Sequence, residues 1–145
     1  MFFVRQAYAA IVLIALTIVS HSGGMAALIQ WVKAHLPHPD RRHPGHVGST
    51  VLMMRLTSLI VCLHVFEILL WAAFYRWKCF TAWESALYFS AGSYSTVGTE
   101  ELALQQAWRQ LGPIEGLMGV LMCALSASFL FAVVTRLVDA VEHQK

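Results

Sequence analysis

Ser95-Thr96-Val97-Gly98-Thr99-Glu100 lies between two apolar runs of very unequal length. The run before it, from Trp83 to Tyr94, is amphipathic; the run after it extends from Leu111 to Leu137. At 1.5 Å rise per residue the first covers about 18 Å, against a hydrocarbon core of about 30 Å, whereas the second is long enough to cross. The pattern predicts a helix that enters a membrane, stops partway and returns through non-helical backbone. Such backbone is tolerated at membrane depth only where it is buried in protein or lines a water-filled cavity.

The rest of the chain agrees with a membrane setting. Of 145 residues, 58% are hydrophobic and 12% charged, against about 25% charged in an average soluble domain. Three segments carry the roughly 20 apolar residues that a spanning helix needs: residues 7–32, 51–77 and 111–137. The remainder comprises a polar loop (33–50), the short helix (82–94), the quoted stretch (95–101) and a brief tail. No separate soluble domain is expected, so the chain reads as one membrane domain over 1–145, all-α in class.

The net charge of +2 matters less than where the charges lie. Lys33, Arg41, Arg42, Arg55, Arg136 and Lys145 fall on one side of the three spans, and Arg5, Arg76, Lys78 and Arg109 on the other. The positive-inside bias then puts the 33–50 loop and the C-terminus in the cytoplasm and the N-terminus outside. Met1 to Val19 has the outline of a signal peptide, but the apolar pattern resumes after Gly23-Gly24, and cleavage would invert the topology. The first span is expected to be retained, with Gly23-Gly24 as a kink or a close-packing point. Cys62, Cys79 and Cys123 have no metal-ligand spacing and receive no chemistry.

Thr81-Ala82-Trp83-Glu84 fits a capping box, which starts the short helix at about Ala82. The negative end of its dipole would favour a cation where several copies converge. Thr96 offers hydroxyl and carbonyl oxygens; Val97 and Gly98 offer carbonyls. Successive carbonyls can face one way only if the backbone alternates in handedness, which Gly98 permits without a Cβ clash. Val97, stiff and β-branched, suits packing behind such a strand. Rings of backbone carbonyls of this kind build the selectivity filters of cation channels.

On these residues the chain resembles the bacterial two-helix potassium-channel superfamily, the pore-loop channels. The similarity runs from about Leu63 to Val134 and rests on Ala86-Leu87-Tyr88-Phe89-Ser90, Ser95-Thr96-Val97-Gly98, Trp108-Arg109-Gln110-Leu111-Gly112 and Phe131-Ala132-Val133-Val134. Small bacterial channels with an additional N-terminal span are similar also through His64-Val65-Phe66-Glu67-Ile68 and Trp71-Ala72. The resemblance implies a homotetramer around a central pore, multi-pass in a bacterial inner membrane. By the same resemblance, Thr99 stands where potassium-selective members carry an aromatic residue, Glu100 where they carry a second glycine, and Glu101 where they carry an aspartate. Glu at a left-handed glycine position costs on the order of 1 kcal/mol or more. The two inner ion sites are therefore expected to survive and the outer two to widen into a vestibule. Four copies of Glu100 and Glu101 would form acidic rings that attract cations, and carboxylate oxygens there suit a hard divalent ion.

Further residues invite a reading. His64 and Glu67 share a helix face within the second span, where a carboxylate is costly unless paired; they form a pH-sensitive pair or a strut to the short helix, or Glu67 is a hydrogen-bonded structural carboxyl near the outer interface. His35, His38, His43 and His46 could bind metal or sense pH, but Pro37, Pro39 and Pro44 break any helix that would present them together. His21 with His64 would be a haem ligand pair that no other feature supports. Gly116 and Gly119 read as a hinge of the inner helix or as packing points. Ser126 and Ser128 read as cavity-facing or as bonded back to their own helix. Trp31, Trp71, Trp77, Trp83 and Trp108 mostly fall near span ends and read as interfacial anchors.

The expectation is a channel passing K+ and Na+ passively with weak selectivity through Thr96, Val97, Gly98, Thr99 and Glu100. It would be no enzyme and would need neither cofactor nor nucleic acid, with permeant ions in the filter and a divalent cation at the outer mouth. The alternatives are a potassium-selective channel and a non-conducting regulatory or scaffold subunit. No arginine ladder marks a voltage sensor.

Overall fold

The computed structural model describes residues 2–35, 46–99 and 102–142. Four helices account for most of them: α1 (Phe2–His35), α2 (His46–Lys78), α3 (Trp83–Tyr94) and α4 (Leu111–Glu142). Three are long and apolar enough to cross a membrane, over Phe3–Ala34, Val47–Lys78 and Leu111–Val138. Each extends past its predicted span at one end or both, because helix continues into the flanking polar residues. No strand occurs among the described residues, and the protein is an all-α, multi-pass membrane protein.

α2 ends in Arg76 and Lys78, cations that complement the negative end of its dipole. The Cys79 and Phe80 amides both close on the Tyr75 carbonyl, at 2.8 and 2.9 Å, and the chain turns into α3. Burial at this turn pushes the Cys79 thiol up to about 11. The capping box does not form. Ala82 occupies the N-cap with extended backbone (φ −111°, ψ 142°) and no side-chain cap bond. Thr81 lies one residue too early, and Glu84 is left to offset the dipole from the first turn.

α1 is antiparallel to α2. Its first half packs Ala9, Ala10 and Leu13 into a core with Trp71, Tyr75, Trp108 and Leu111. Its second half packs Leu28 and Val32 against Leu56, Ile60 and Val133 at the opposite end of the bundle. The N-terminus therefore lies at the end that also holds the α2–α3 turn and residues 102–110, and there Arg5 stands 6.0 Å over the Trp108 ring. Gly24 is a close-packing point: a Cβ there would meet Leu63 Cδ1 at 2.7 Å. α1 runs through it unbroken.

Trp77 and Trp83 are exposed, whereas Trp71 and Trp108 are buried and are not interfacial anchors. The Trp71 indole donates to Thr17 Oγ1 at 2.9 Å, and Thr17 in turn donates to the Leu13 carbonyl. Spacing near a span end cannot distinguish an anchor from a ring turned inward. Large apolar side chains such as Phe3, Tyr8, Val19 and Phe131 cover the outer surface, as a lipid-facing exterior requires.

Candidate functional site

α3 is wedged between α2 and α4 and held by both. Phe89 packs edge-on to Tyr75, with ring centroids 5.0 Å apart, and its ring also abuts Gly112, where a Cβ would stand 3.2 Å from Cζ. Ser90 Oγ lies 2.9 Å from the Ile68 carbonyl of α2 and 2.5 Å from Glu115 Oε1 of α4. The Tyr75 hydroxyl donates to Glu115 Oε2 at 2.8 Å. Tyr75, Ser90 and Glu115 are all fully buried, so one polar cluster ties the middle of α3 to both long helices.

The end of α3 is bound more closely still. Gly116 and Gly119 of α4 face its last carbonyls: a Cβ at 116 would stand 3.0 Å from Ser93 O, and one at 119 only 2.1 Å from Tyr94 O. Of the two readings of these glycines, packing is the one this contact requires. Ser95 caps the helix through its amide and its hydroxyl, both on the Ala91 carbonyl. The Thr96 amide takes Ser93 O and the Gly98 amide takes Gly92 O, each at 3.0 Å.

Beyond this cap the backbone alternates in handedness. Ser95 is right-handed (φ −78°, ψ −4°), Thr96 is left-handed at φ 61°, and Gly98 is left-handed at φ 83°. Among the described non-glycine residues Thr96 alone has positive φ. A β-branched residue there is a conformational outlier that costs roughly 1–2 kcal/mol, and strain of this kind gathers at functional sites. Val97 does not pack behind the strand within its own chain; it is 84% exposed. The Thr99 hydroxyl donates to Leu102 O at 3.0 Å, which ties down the chain where it leaves the stretch. Glu100 and Glu101, the proposed acidic rings, fall outside the described residues, as do His38 and His43 of the loop. A cavity of about 870 Å³ flanks the stretch, lined by Phe89, Thr96, Gly98, Thr99, Gly116 and Leu117 among others.

With that geometry stands a sequence comparison. A family model described as an ion channel matches residues 59–136, more than half of the chain. The chain belongs to this ion-channel family, that of the two-helix pore-loop channels, and adds an N-terminal helix to it. No curated protein and no solved structure matches it.

A second polar network lies deeper in the channel. His64 and Glu67 do approach, Nδ1 to Oε2, at 3.6 Å, but the closer partners come from other helices. His21 Nδ1 of α1 is 2.8 Å from Glu67 Oε1. The Tyr94 hydroxyl donates to Glu67 Oε2 and lies 2.8 Å from His64 Nδ1; His64 Nε2 lies 3.1 Å from Ser126 Oγ. Since Tyr94 spends its proton on Glu67, it accepts from His64 Nδ1–H, and His64 Nε2 accepts from Ser126. Ser128, by contrast, bonds back to the Ala124 carbonyl of its own helix at 2.9 Å. The network around Glu67 and His64 thus joins all four helices, with α3 contributing its last residue, Tyr94.

Sequence reasoning singled out His64 and Glu67, a strut to α3 among their readings, and set His21 beside His64 only as a haem pair, the two rings standing 5.6 Å apart; it named neither Tyr94 as the partner on α3 nor Glu115. The overlooked signal is Glu115 itself, a carboxylate a few residues inside an apolar run. Such a residue points to a polar partner on another helix.

Proposed function

We propose that the chain assembles as a homotetramer and passively conducts monovalent cations, K+ and Na+ alike, through Thr96, Val97, Gly98, Thr99 and Glu100. The observation that carries the reading is the alternating backbone at Thr96 and Gly98, held directly after a capped helix that stops short of crossing. Such alternation turns successive carbonyl oxygens to one side, and a ring of them substitutes for an ion's hydration shell. Exposed Val97 and the adjoining cavity suit an element that is completed by neighbouring copies.

Weak selectivity follows from Thr99. Its hydroxyl is engaged with Leu102 O inside its own chain, and it offers no ring to brace the outer filter at fixed radius. Glu100 and Glu101 would then concentrate cations at a wide outer mouth and bind a divalent ion there. The N-terminus faces outside and the C-terminus the cytoplasm, as in a bacterial inner membrane. No covalent step is involved.

The experiment is recording from purified protein in planar bilayers with potassium on one side and sodium on the other. A reversal potential near zero is expected. A strong potassium preference would replace this reading with a selective pore, and silence from correctly assembled protein would replace it with a scaffold subunit.

A further inference from the structure

We infer that His21, Glu67 and His64 form an intramembrane binding site for one divalent transition-metal ion of the zinc class per chain. Their ligand atoms all lie within 4.8 Å of one another, with His21 Nδ1 and Glu67 Oε1 at 2.8 Å and His64 Nδ1 and Glu67 Oε2 at 3.6 Å. Bonds of about 2.0–2.2 Å to a tetrahedral ion place neighbouring ligands roughly 3.4 Å apart, so the donors need only small side-chain shifts to close on one. Two imidazoles and a carboxylate suit zinc, nickel or cobalt and are poor for calcium or magnesium, which take oxygen ligands.

One further observation favours a ligand over a merely structural cluster: the outer support of a metal site is present. Ser126 Oγ is placed to take the Nε2 proton that His64 would carry once Nδ1 binds metal, and the Tyr94 hydroxyl, 2.8 Å from that Nδ1, would give up its contact with His64 and stay on Glu67 Oε2, leaving Oε1 to the ion. Partners of this kind orient metal ligands, and their loss typically lowers affinity 10–100-fold. The bound ion would neutralise a fully buried carboxylate and cross-link α1 to α2 beside the end of α3. This inference stands whether or not the chain conducts.

The test is titration of the purified full-length protein, stripped with chelator, with Co2+ alone. The expected result is the visible d–d absorption of a low-coordinate site at one equivalent per chain, displaced by Zn2+. It should persist when His35, His38, His43 and His46 are all changed to Gln, vanish in His64→Asn and weaken at least about tenfold in Ser126→Ala. Absence of the band, its survival at full strength in a folded His64→Asn protein, or its loss in the loop variant would overturn the site. Should His64→Asn fail to fold, unchanged affinity in Ser126→Ala overturns it alone.

Discussion

Gly119 meets the carbonyl of Tyr94 so closely that a Cβ would lie 2.1 Å from the oxygen. The inner helix is thereby pressed onto the terminal turn of α3, and the backbone of residues 95–99 starts from that contact. Real Cβ atoms essentially never come closer than 3.0 Å, so Gly119→Ala must push α3 and α4 apart. Overpacking of this kind typically costs about 1–3 kcal/mol. The variant should melt earlier in detergent and lose conduction. Gly23→Ala is the control: a Cβ there meets nothing within 4 Å, and its melting should be unchanged or slightly raised.

Thr96 holds a left-handed conformation that glycine adopts freely. Thr96→Gly should therefore leave stability unchanged or raise it by up to about 1 kcal/mol, the strain relieved being partly offset by backbone entropy. Unitary conductance should change, because the hydroxyl is gone. A melting series paired with single-channel recording checks both, and a large loss of stability would show that Thr96 is not strained.

Tyr94→Phe removes one hydroxyl that serves Glu67 and His64 together. Leaving those buried groups short of a partner should cost about 1–3 kcal/mol. Glu67→Gln, which has one acceptor oxygen where the carboxylate has two, turns an amide donor towards Tyr94 or His21 and should cost at least as much. Thermal melting of the two variants side by side gives the order.

If Thr99 and Glu100 set the selectivity, the double change Thr99→Tyr, Glu100→Gly should shift the potassium–sodium reversal potential towards potassium. A working pore responds in this way; a decayed filter through which nothing passes would not.

The Cys79 thiol, pushed up to about 11 by burial, is almost wholly protonated at neutral pH. Because only the thiolate reacts, alkylation at this site should be slow at neutral pH and climb about tenfold per pH unit until it levels near 11. Comparison with Cys79→Ser isolates the rate, and rapid labelling at neutral pH would contradict the buried environment.

Features that are local in sequence were legible. The three spans follow from counting apolar residues. α3 was placed within a residue of its ends because a short amphipathic run flanked by longer apolar ones has few other solutions. The left-handed turn at Gly98 was readable because glycine advertises it; the one at Thr96 was not, since nothing in a threonine announces positive φ. The networks at Glu67 and Glu115 escaped for a different reason. His21 and Glu67 are 46 residues apart, and only the antiparallel packing of α1 on α2 brings them face to face. The misread cap at Thr81 and the inward turn of Trp71 and Trp108 have the same origin: a motif fixes residue types, while tertiary packing decides which way they point.

Conduction depends on main-chain oxygens around Val97, from several copies, forming the lining of a conduit. A density map of the assembled protein in a lipid disc, recorded in potassium and again in sodium, examines this directly. Four chains about one axis are expected, with ion density ringed by the oxygens of Thr96 and Val97 in both salts. A map without such an axis, or with Val97 turned to lipid, would contradict it.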